Sequence, residues 1–358
     1  MTRTVSISLD QFYRPQPGGI ATYVRGLVGG LASLHEDLRL IGVAPKGSPT
    51  QDLSDLALKP VTTMVPIDVL TRVWAKWPLG VPAWSDVVHA TSVAGPYAGG
   101  TRQAVHSVAL HDLLWRDEPS ASTPRGIKFH EGRLQMLKRR YDVRVITTAP
   151  GLAQRLIDEG FAAERVHQSR LGVGDTTSAE SEGQVRTFLA EHGVQGPFTL
   201  YAGTREPRKN LGRLREAYAN ARATNPELGA LVFVGPPGWG EEESGDAVVL
   251  GLVARSMLQG LYRDATVVAY VPRAEGWGLP PVEALHEGAR VVASVATPSV
   301  ATNEEVVLVN PLDVNDITSG LIRALSLGTD ESARQRRRET VASLTWKNVA
   351  LDHLAAWA

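Results

Sequence analysis

One pattern constrains this chain more than any other. Short β-branched runs alternate with amphipathic helical stretches, stop, and then begin again in the second half. Residues 5–9, 38–43, 87–89, 105–110 and 143–147 read as strands. After the first of them, 20–34 sets Ile20, Val24, Leu27, Leu31 and Leu34 at helical spacing. The second half repeats the alternation, with strands at 198–202, 231–234, 248–250, 267–271 and 290–294 and helices at 210–223 and 281–287. Such alternation builds βαβ units and parallel sheets. The fold class expected is α/β, with two Rossmann-like domains whose parallel sheets face an interdomain cleft. A length of 358 residues suits two domains. The expected division is 1–172, a linker region 173–196 opening on Gly172-Val-Gly-Asp, a second domain 197–340, and a helical tail over 341–358.

Composition removes several function classes. The absence of cysteine excludes disulfides, thiolate zinc sites, iron–sulfur clusters and a cysteine nucleophile. At 43% apolar and 21% charged residues the chain is globular. No apolar run approaches the ~18 residues of a spanning helix. The N-terminus alternates like a strand and does not read as a signal peptide. Residues 1–172 hold 20 Lys and Arg against 15 Asp and Glu (+5), and the remainder 17 against 23 (−6). Neither half is basic enough for a nucleic-acid partner. A cytoplasmic protein is expected.

Four stretches carry candidate chemistry. Glu275-Gly-Trp-Gly-Leu-Pro-Pro-Val-Glu283 follows a buried strand and opens a helix with Pro280 and Pro281 in its first turn. The amides of Gly278 and Leu279 then lie at a helix N-terminus, which suits an anion. Two carboxylates bracket the turn: Glu283 is placed to hold ribose hydroxyls and Glu275 a sugar ring. A helix-dipole role for Glu283 and a plain loop charge at Glu275 stand beside that reading. In Gly203-Thr-Arg-Glu-Pro-Arg-Lys-Asn210, Arg205 and Lys209 lie four apart with Arg208 beside them, cations suited to a diphosphate or to a solvated basic turn. Gly18-Gly19 after the first strand permits close backbone approach to a ligand, or forms a simple turn. His111-Asp112 sits at the carboxyl end of an apolar strand, where α/β folds place ligand contacts. No metal-ligand spacing, serine-hydrolase elbow or Walker-type phosphate loop occurs.

In this order the motifs resemble the retaining family 4 glycosyltransferases of the GT-B fold (glycosyl transferases group 1). The resemblance rests on 203–210, 231–240, 275–285 and 309–314, and more thinly on 18–27, His111-Asp112 and the turn at 172–175. It implies a GT-B fold whose C-terminal helix packs back toward the first domain. It also implies a retaining, metal-independent hexosyltransferase, moving mannose or glucose from a GDP- or UDP-hexose to a glycan or lipid-linked acceptor in polysaccharide biosynthesis. Arg205 and Lys209 match the pair that clamps the donor diphosphate, Glu283 the ribose carboxylate, and Glu275 the carboxylate on the donor sugar. Gly276, Trp277, Gly278 and Leu279 match the turn facing sugar and phosphate, Gly18 and Gly19 the approach from the first domain, and Val253 the base-contact region. His111 matches the histidine near the reacting carbon. No cofactor is implied beyond the nucleotide sugar.

Departures from the pattern are specific. Thr148-Ala-Pro-Gly151 stands where the family shows a Ser-x-Phe-Ser-like segment, the stretch 294–309 looks compressed, and 251–255 lacks the acidic residue that favours guanine. The first two support one alternative, a catalytically degenerate GT-B protein that binds a nucleotide or a partner without sugar transfer, and the departures leave the donor's identity open. A nicotinamide dehydrogenase is disfavoured by the missing Gly-x-Gly-x-x-Gly. A phosphorylase-like enzyme is disfavoured because Lys209 and Lys347 are the only lysines after 172. The basic stretch 125–144 is a candidate for peripheral contact with the inner face of an anionic membrane, or a solvated helix face.

Overall fold

The computed structural model describes residues 2–15, 18–34, 37–97, 104–174, 178–238 and 245–358. Asp175, Trp239 and Gly240 of the motifs above lie outside the described residues. The chain divides into two compact units, Met1–Gly172 with Leu344–Ala358, and Val173–Ser343.

Among the described residues the first unit holds seven parallel strands: β1 (Arg3–Ser8), β2 (Leu38–Lys46), β3 (Lys59–Pro66), β4 (Val87–Ala90), β5 (Val105–Leu110), β6 (Val143–Thr147) and β7 (Val166–Gln168). Their order is β3-β2-β1-β4-β5-β6-β7. The central strands are buried along almost their whole length, hence their continuous apolar runs. The pattern misses β3 and β7. β3 is an edge strand with two prolines and mostly exposed or half-buried positions, and β7 has three residues.

The C-terminal stretch from Glu331 is two helices belonging to different units. Glu331–Val341, capped by Asp330, stays in the second, whereas Trp346–Trp357, capped by Thr345, joins the first. The last helix lies against Gly18–Ser33, where Gly26 and Gly30 leave room for Trp346. A Cβ at Gly30 would overlap the Trp346 carbonyl oxygen, backbone that has no free rotamer to escape with. Gly30→Ala is therefore expected to destabilise the protein by about 1–3 kcal/mol, the usual cost of overpacking. Chemical denaturation checks this, and an unchanged midpoint would mean the two helices are not in close contact.

A buried chain of hydrogen bonds ties the same helix down. Trp357 Nε1 donates to Ser107 Oγ (2.8 Å), Ser107 Oγ meets His89 Nδ1 (2.9 Å), and His89 Nε2 meets the Tyr23 hydroxyl (2.7 Å). Tyr23 meets His353 Nε2 (2.7 Å), and His353 Nδ1 reaches the Val349 carbonyl (2.7 Å). A carbonyl only accepts, so neutral His353 carries its proton on Nδ1 and Nε2 accepts from Tyr23. Tyr23 then accepts from His89 Nε2–H, and His89 Nδ1 accepts from Ser107. Every proton in the chain has one place.

Among the described residues the second unit has six parallel strands: β8 (Phe198–Ala202), β9 (Ala230–Val234), β10 (Val248–Gly251), β11 (Val267–Tyr270), β12 (Val291–Ser294) and β13 (Val306–Val309). Their order is β10-β9-β8-β11-β12-β13. Helices Leu211–Arg222 and Val314–Leu325 pack Leu214, Tyr218, Ile317 and Leu321 onto Phe233, Val267 and Val292. The stretch expected to be a linker is corrected here. Ser181 and Gln184 form a reciprocal capping box for a helix, Glu182–Glu191, and the whole segment from Val173 belongs to the second unit. Its neighbour is the helix Arg255–Asp264, held through Arg263 Nη1 to the Glu180 carbonyl (2.8 Å) and Ser256 Oγ to Glu180 Oε1 (2.9 Å).

In each sheet the strand order reverses at its first strand. In the second unit this happens between β8 and β11, and the crevice outside the carboxyl ends at such a reversal is where open α/β sheets bind ligands. The turns leaving those two strands are Gly203–Asn210 and Val271–Gly278.

Candidate functional site

Two devices shape the turn after β8. Pro207–Lys209 is a short 3-10 turn. Asn210 ends it at φ 63°, among the described residues the one non-glycine in the left-handed region. Asparagine tolerates that conformation. Its side-chain amide donates to the carbonyls of Val271 (3.0 Å) and Pro311 (2.7 Å), and the Arg273 amide donates to the Arg208 carbonyl (2.8 Å). The turns after β8 and β11 are thus sewn together.

What they bring together is a charged cluster around Glu275. Its Oε2 accepts from Lys209 Nζ (2.5 Å), the Tyr270 hydroxyl (2.6 Å) and Arg208 Nη1 (3.0 Å), and its Oε1 from the Gly276 amide (3.2 Å). Arg208 Nη2 also pairs with Glu206 Oε1 (2.5 Å), and Lys209 Nζ donates to the Tyr270 hydroxyl (2.5 Å). The Lys209 and Glu275 side chains are only 8% and 11% exposed, so their pairing acts in a poorly screened environment. Burial would raise the Glu275 pKa, but Lys209 and Arg208 overcome it and hold the carboxyl at about 2. Burial lowers that of Lys209 while Glu275 pulls it back up, and burial raises Glu206.

The expected cations are not placed alike. Lys209 is in the cluster. Arg205 instead sends Nη1 to the Gly235 carbonyl (3.0 Å) beyond β9, and Arg208 occupies the place beside Lys209. The 3-10 turn and left-handed Asn210 decide which cation faces Glu275, and residue spacing alone does not encode that.

Glu283 is gathered by other partners. It lies in the helix Leu279–His286, accepting from Tyr262 (3.1 Å) and pairing with Arg255 Nη1 (2.8 Å). The base-contact candidate Val253 is half-buried in the loop between β10 and that Arg255. Gly276 and Trp277 lead to Gly278, which sits at φ 95° before Leu279, and no side chain caps that helix start. A Cβ at Gly278 would overlap Thr297 Cγ2. The compressed stretch after β12 folds onto this turn, through Ser299 N to the Trp277 carbonyl (3.0 Å) and Ser299 Oγ to the Gly278 carbonyl (2.7 Å). Buried Trp277 Nε1 and Thr297 Oγ1 have no hydrogen-bond partner.

The remaining candidates belong to the first unit. Gly18 (φ 59°) and Gly19 open the helix Gly18–Ser33, and a Cβ at Gly18 would meet open space. His111 uses both nitrogens, Nε2 to the Thr91 carbonyl (2.9 Å) and Nδ1 to Thr148 Oγ1 (3.1 Å). Its proton is therefore on Nε2, and burial keeps the ring neutral by lowering its pKa. The departing segment at 148–151 thus supplies the partner of His111. Of the basic stretch 125–144, Arg133 bonds the Thr71 carbonyl, Arg140 pairs with Asp142 and Arg144 reaches the Ala356 carbonyl, while Arg125, Lys128 and Arg139 remain exposed. Among the described residues no group of three His, Asp or Glu side chains could hold a metal ion, and no helix is long and apolar enough to cross a membrane. The sequence reading missed Tyr270, Tyr262 and Arg255. For Tyr270 the available signal was a polar aromatic at the carboxyl end of an otherwise aliphatic strand.

Comparison with known proteins bears on the family and the fold. The family model for glycosyl transferases group 1 matches residues 196–326. The O-antigen chain mannosyltransferase B of Escherichia coli is 27% identical over 215 residues, 55% of this chain and 55% of that protein. The MMP alpha-(1->4)-mannosyltransferase of Mycolicibacterium hassiacum is 27% identical over 242 residues, 63% of this chain and 57% of that protein. The matches thus span little more than half the length of these relatives. The structure of Anabaena Alr3699/HepE in complex with UDP and glucose superposes with a TM-score of 0.72 at 15% identity, covering 99% of this chain and 98% of that one. Two parallel-sheet Rossmann-like units with this likeness define a GT-B fold. The family match over 196–326, the mannosyltransferase relatives and this fold together support a group 1 glycosyltransferase.

Proposed function

We propose that this protein transfers a hexose, mannose in the first instance, from a nucleoside-diphosphate sugar to a glycan or lipid-linked acceptor, with retention of anomeric configuration and without a metal ion. The observation that carries the proposal is the cluster of Arg208, Lys209 and Glu275 at the carboxyl ends of β8 and β11. Sugar transfer passes through an oxocarbenium-like state while negative charge grows on the leaving diphosphate. Two cations aimed at that charge, Lys209 buried and Arg208 partly buried, stabilise the transition state more than the ground state. The uncapped start of Leu279–His286 adds amide donors of the same sign. Glu283, held by Arg255 and Tyr262, is the carboxylate for the ribose hydroxyls, and Glu275 the one for the sugar. Mannose is favoured because both relatives are named as mannosyltransferases.

The test is a panel of GDP-mannose, UDP-glucose and UDP-N-acetylglucosamine with EDTA present, read as release of nucleoside diphosphate and as thermal shift. Turnover of one donor that survives EDTA is expected, with GDP-mannose the strongest. Thermal stabilisation without release from any donor would sink the transferase reading and leave a nucleotide-binding protein.

A further inference from the structure

Tyr270 closes a loop that the reading above does not use. It is the last residue of β11, 1% exposed, and its ring lies nearly parallel to that of Tyr201, 6.1 Å away. Its hydroxyl stands between the two charges of the cluster, 2.5 Å from Lys209 Nζ and 2.6 Å from Glu275 Oε2. An ammonium has only donors and a carboxylate only acceptors, so the direction of these bonds is settled: Lys209 donates to the phenol oxygen, and the phenol proton goes to Glu275. A third bond, from Lys209 directly to Glu275, completes a triangle. The Lys209 ammonium also lies 5.0 Å from the centroid of the same ring.

We infer that Tyr270 is a positioning residue, whose hydroxyl holds the Lys209 ammonium and the Glu275 carboxylate in one geometry for the donor's diphosphate and sugar. The inference rests on the transferase reading and adds to it a group that touches neither reactant. Lys209 ends a long, flexible side chain, and its Nζ has two oxygen partners here, the phenol and Glu275. If the diphosphate draws the ammonium, the phenol keeps it from following freely and keeps Glu275 from rotating away. A sub-ångström error in such a cation is costly, because the charge it must meet exists fully only in the transition state.

Tyr270→Phe deletes the hydroxyl and keeps the ring, its stacking on Tyr201 and its face toward Lys209. With the donor that the wild type uses, kcat is expected to fall about 10–100-fold, the scale of one hydrogen bond to a charged group, with donor KM within about threefold. The pH profile supplies a readout that simple loosening of the core would not move. The phenol oxygen stabilises the charged form of Lys209, so its loss shifts the alkaline limb of kcat/KM toward lower pH. Glu275, Glu206, Arg208 and Tyr201, the other titratable groups around this pair, remain in place. GDP and UDP titrations across the same pH range should show the same displacement in binding. If the ring swap disturbs folding, Tyr270→Met repeats the deletion with an adaptable apolar filler. A Tyr270→Phe protein with wild-type kcat and an unmoved alkaline limb overturns the inference and leaves the transferase reading intact. A wild type that binds no nucleoside diphosphate and turns over no donor sinks both.

Discussion

Replacing Lys209 by alanine is expected to lower turnover about 10²–10³-fold, the scale of losing one preorganised donor at a developing oxyanion. The ammonium is buried, so the charge it contributes is not replaced by water, and Arg208 alone would face the leaving diphosphate. The same substitution strips a partner from Glu275, a carboxylate held near 2 by Lys209 and Arg208. Removing one member of a buried pair costs about 3–5 kcal/mol, so thermal unfolding must accompany the kinetics. Lys209→Met provides the volume-matched control. Arg208→Ala should fall in the same direction as Lys209→Ala. Arg205→Ala should cost less than about tenfold, since that guanidinium lies on the Gly235 carbonyl and not on Glu275. A folded Lys209→Ala protein that keeps near-full turnover removes the cation cluster from the mechanism.

Acidification should weaken the fold through its buried histidines. Burial lowers the His353 pKa to about 4 and that of His89 in the same direction. In the unfolded chain both histidines take up protons near pH 6.5, while the folded protein refuses them. The unfolded state therefore binds more protons between those values, and stability falls as pH drops from 6.5 toward 4. For His353 alone, that interval is worth about 3 kcal/mol. The structural cause is the single proton order of the buried chain: each imidazole already donates from one nitrogen and accepts at the other, and an added proton has no acceptor. Paired carboxylates such as Glu275 lose their contribution only below their unfolded value of about 4.5, whereas the carboxyls that burial raises, Asp10, Glu206 and Asp352, act with the opposite sign to the histidines. Urea unfolding through that interval is the measurement. A response left unchanged by His353→Gln would mean that His353 takes up its proton in place, and the chain of bonds would have to be redrawn.

How much of this was legible beforehand follows from where the physics is local. Parallel strands buried on both faces announce themselves as apolar runs, so β4, β5, β6, β8 and β12 were readable within a residue. β3 was not, because an edge strand needs no such run. The helix Glu182–Glu191 had a readable sign, Ser181 three residues before Gln184, and the polar composition around it argued for a linker instead. Lys209 and Glu275 were legible as candidates because they sit on turns at strand ends, and Glu283 because it sits in the helix that follows such a turn. The exchange of Arg205 for Arg208 was hidden, because it depends on the backbone of Asn210. Tyr270 acquires its role from Lys209, sixty-one positions earlier in the chain, a contact that no local window contains.

The helix Trp346–Trp357 has a consequence for biosynthesis. The first unit needs residues 344–358 to cover Gly26 and Gly30 and to finish the run of bonds from Trp357 to Val349, yet the 171 residues from Val173 to Ser343 are translated in between. At roughly 5–20 residues per second, the nascent first unit waits about ten to thirty seconds with one flank uncovered. During that interval the ribosome-bound chain presents a helix face that chaperones can hold. Of the two units, the one begun earlier is completed later.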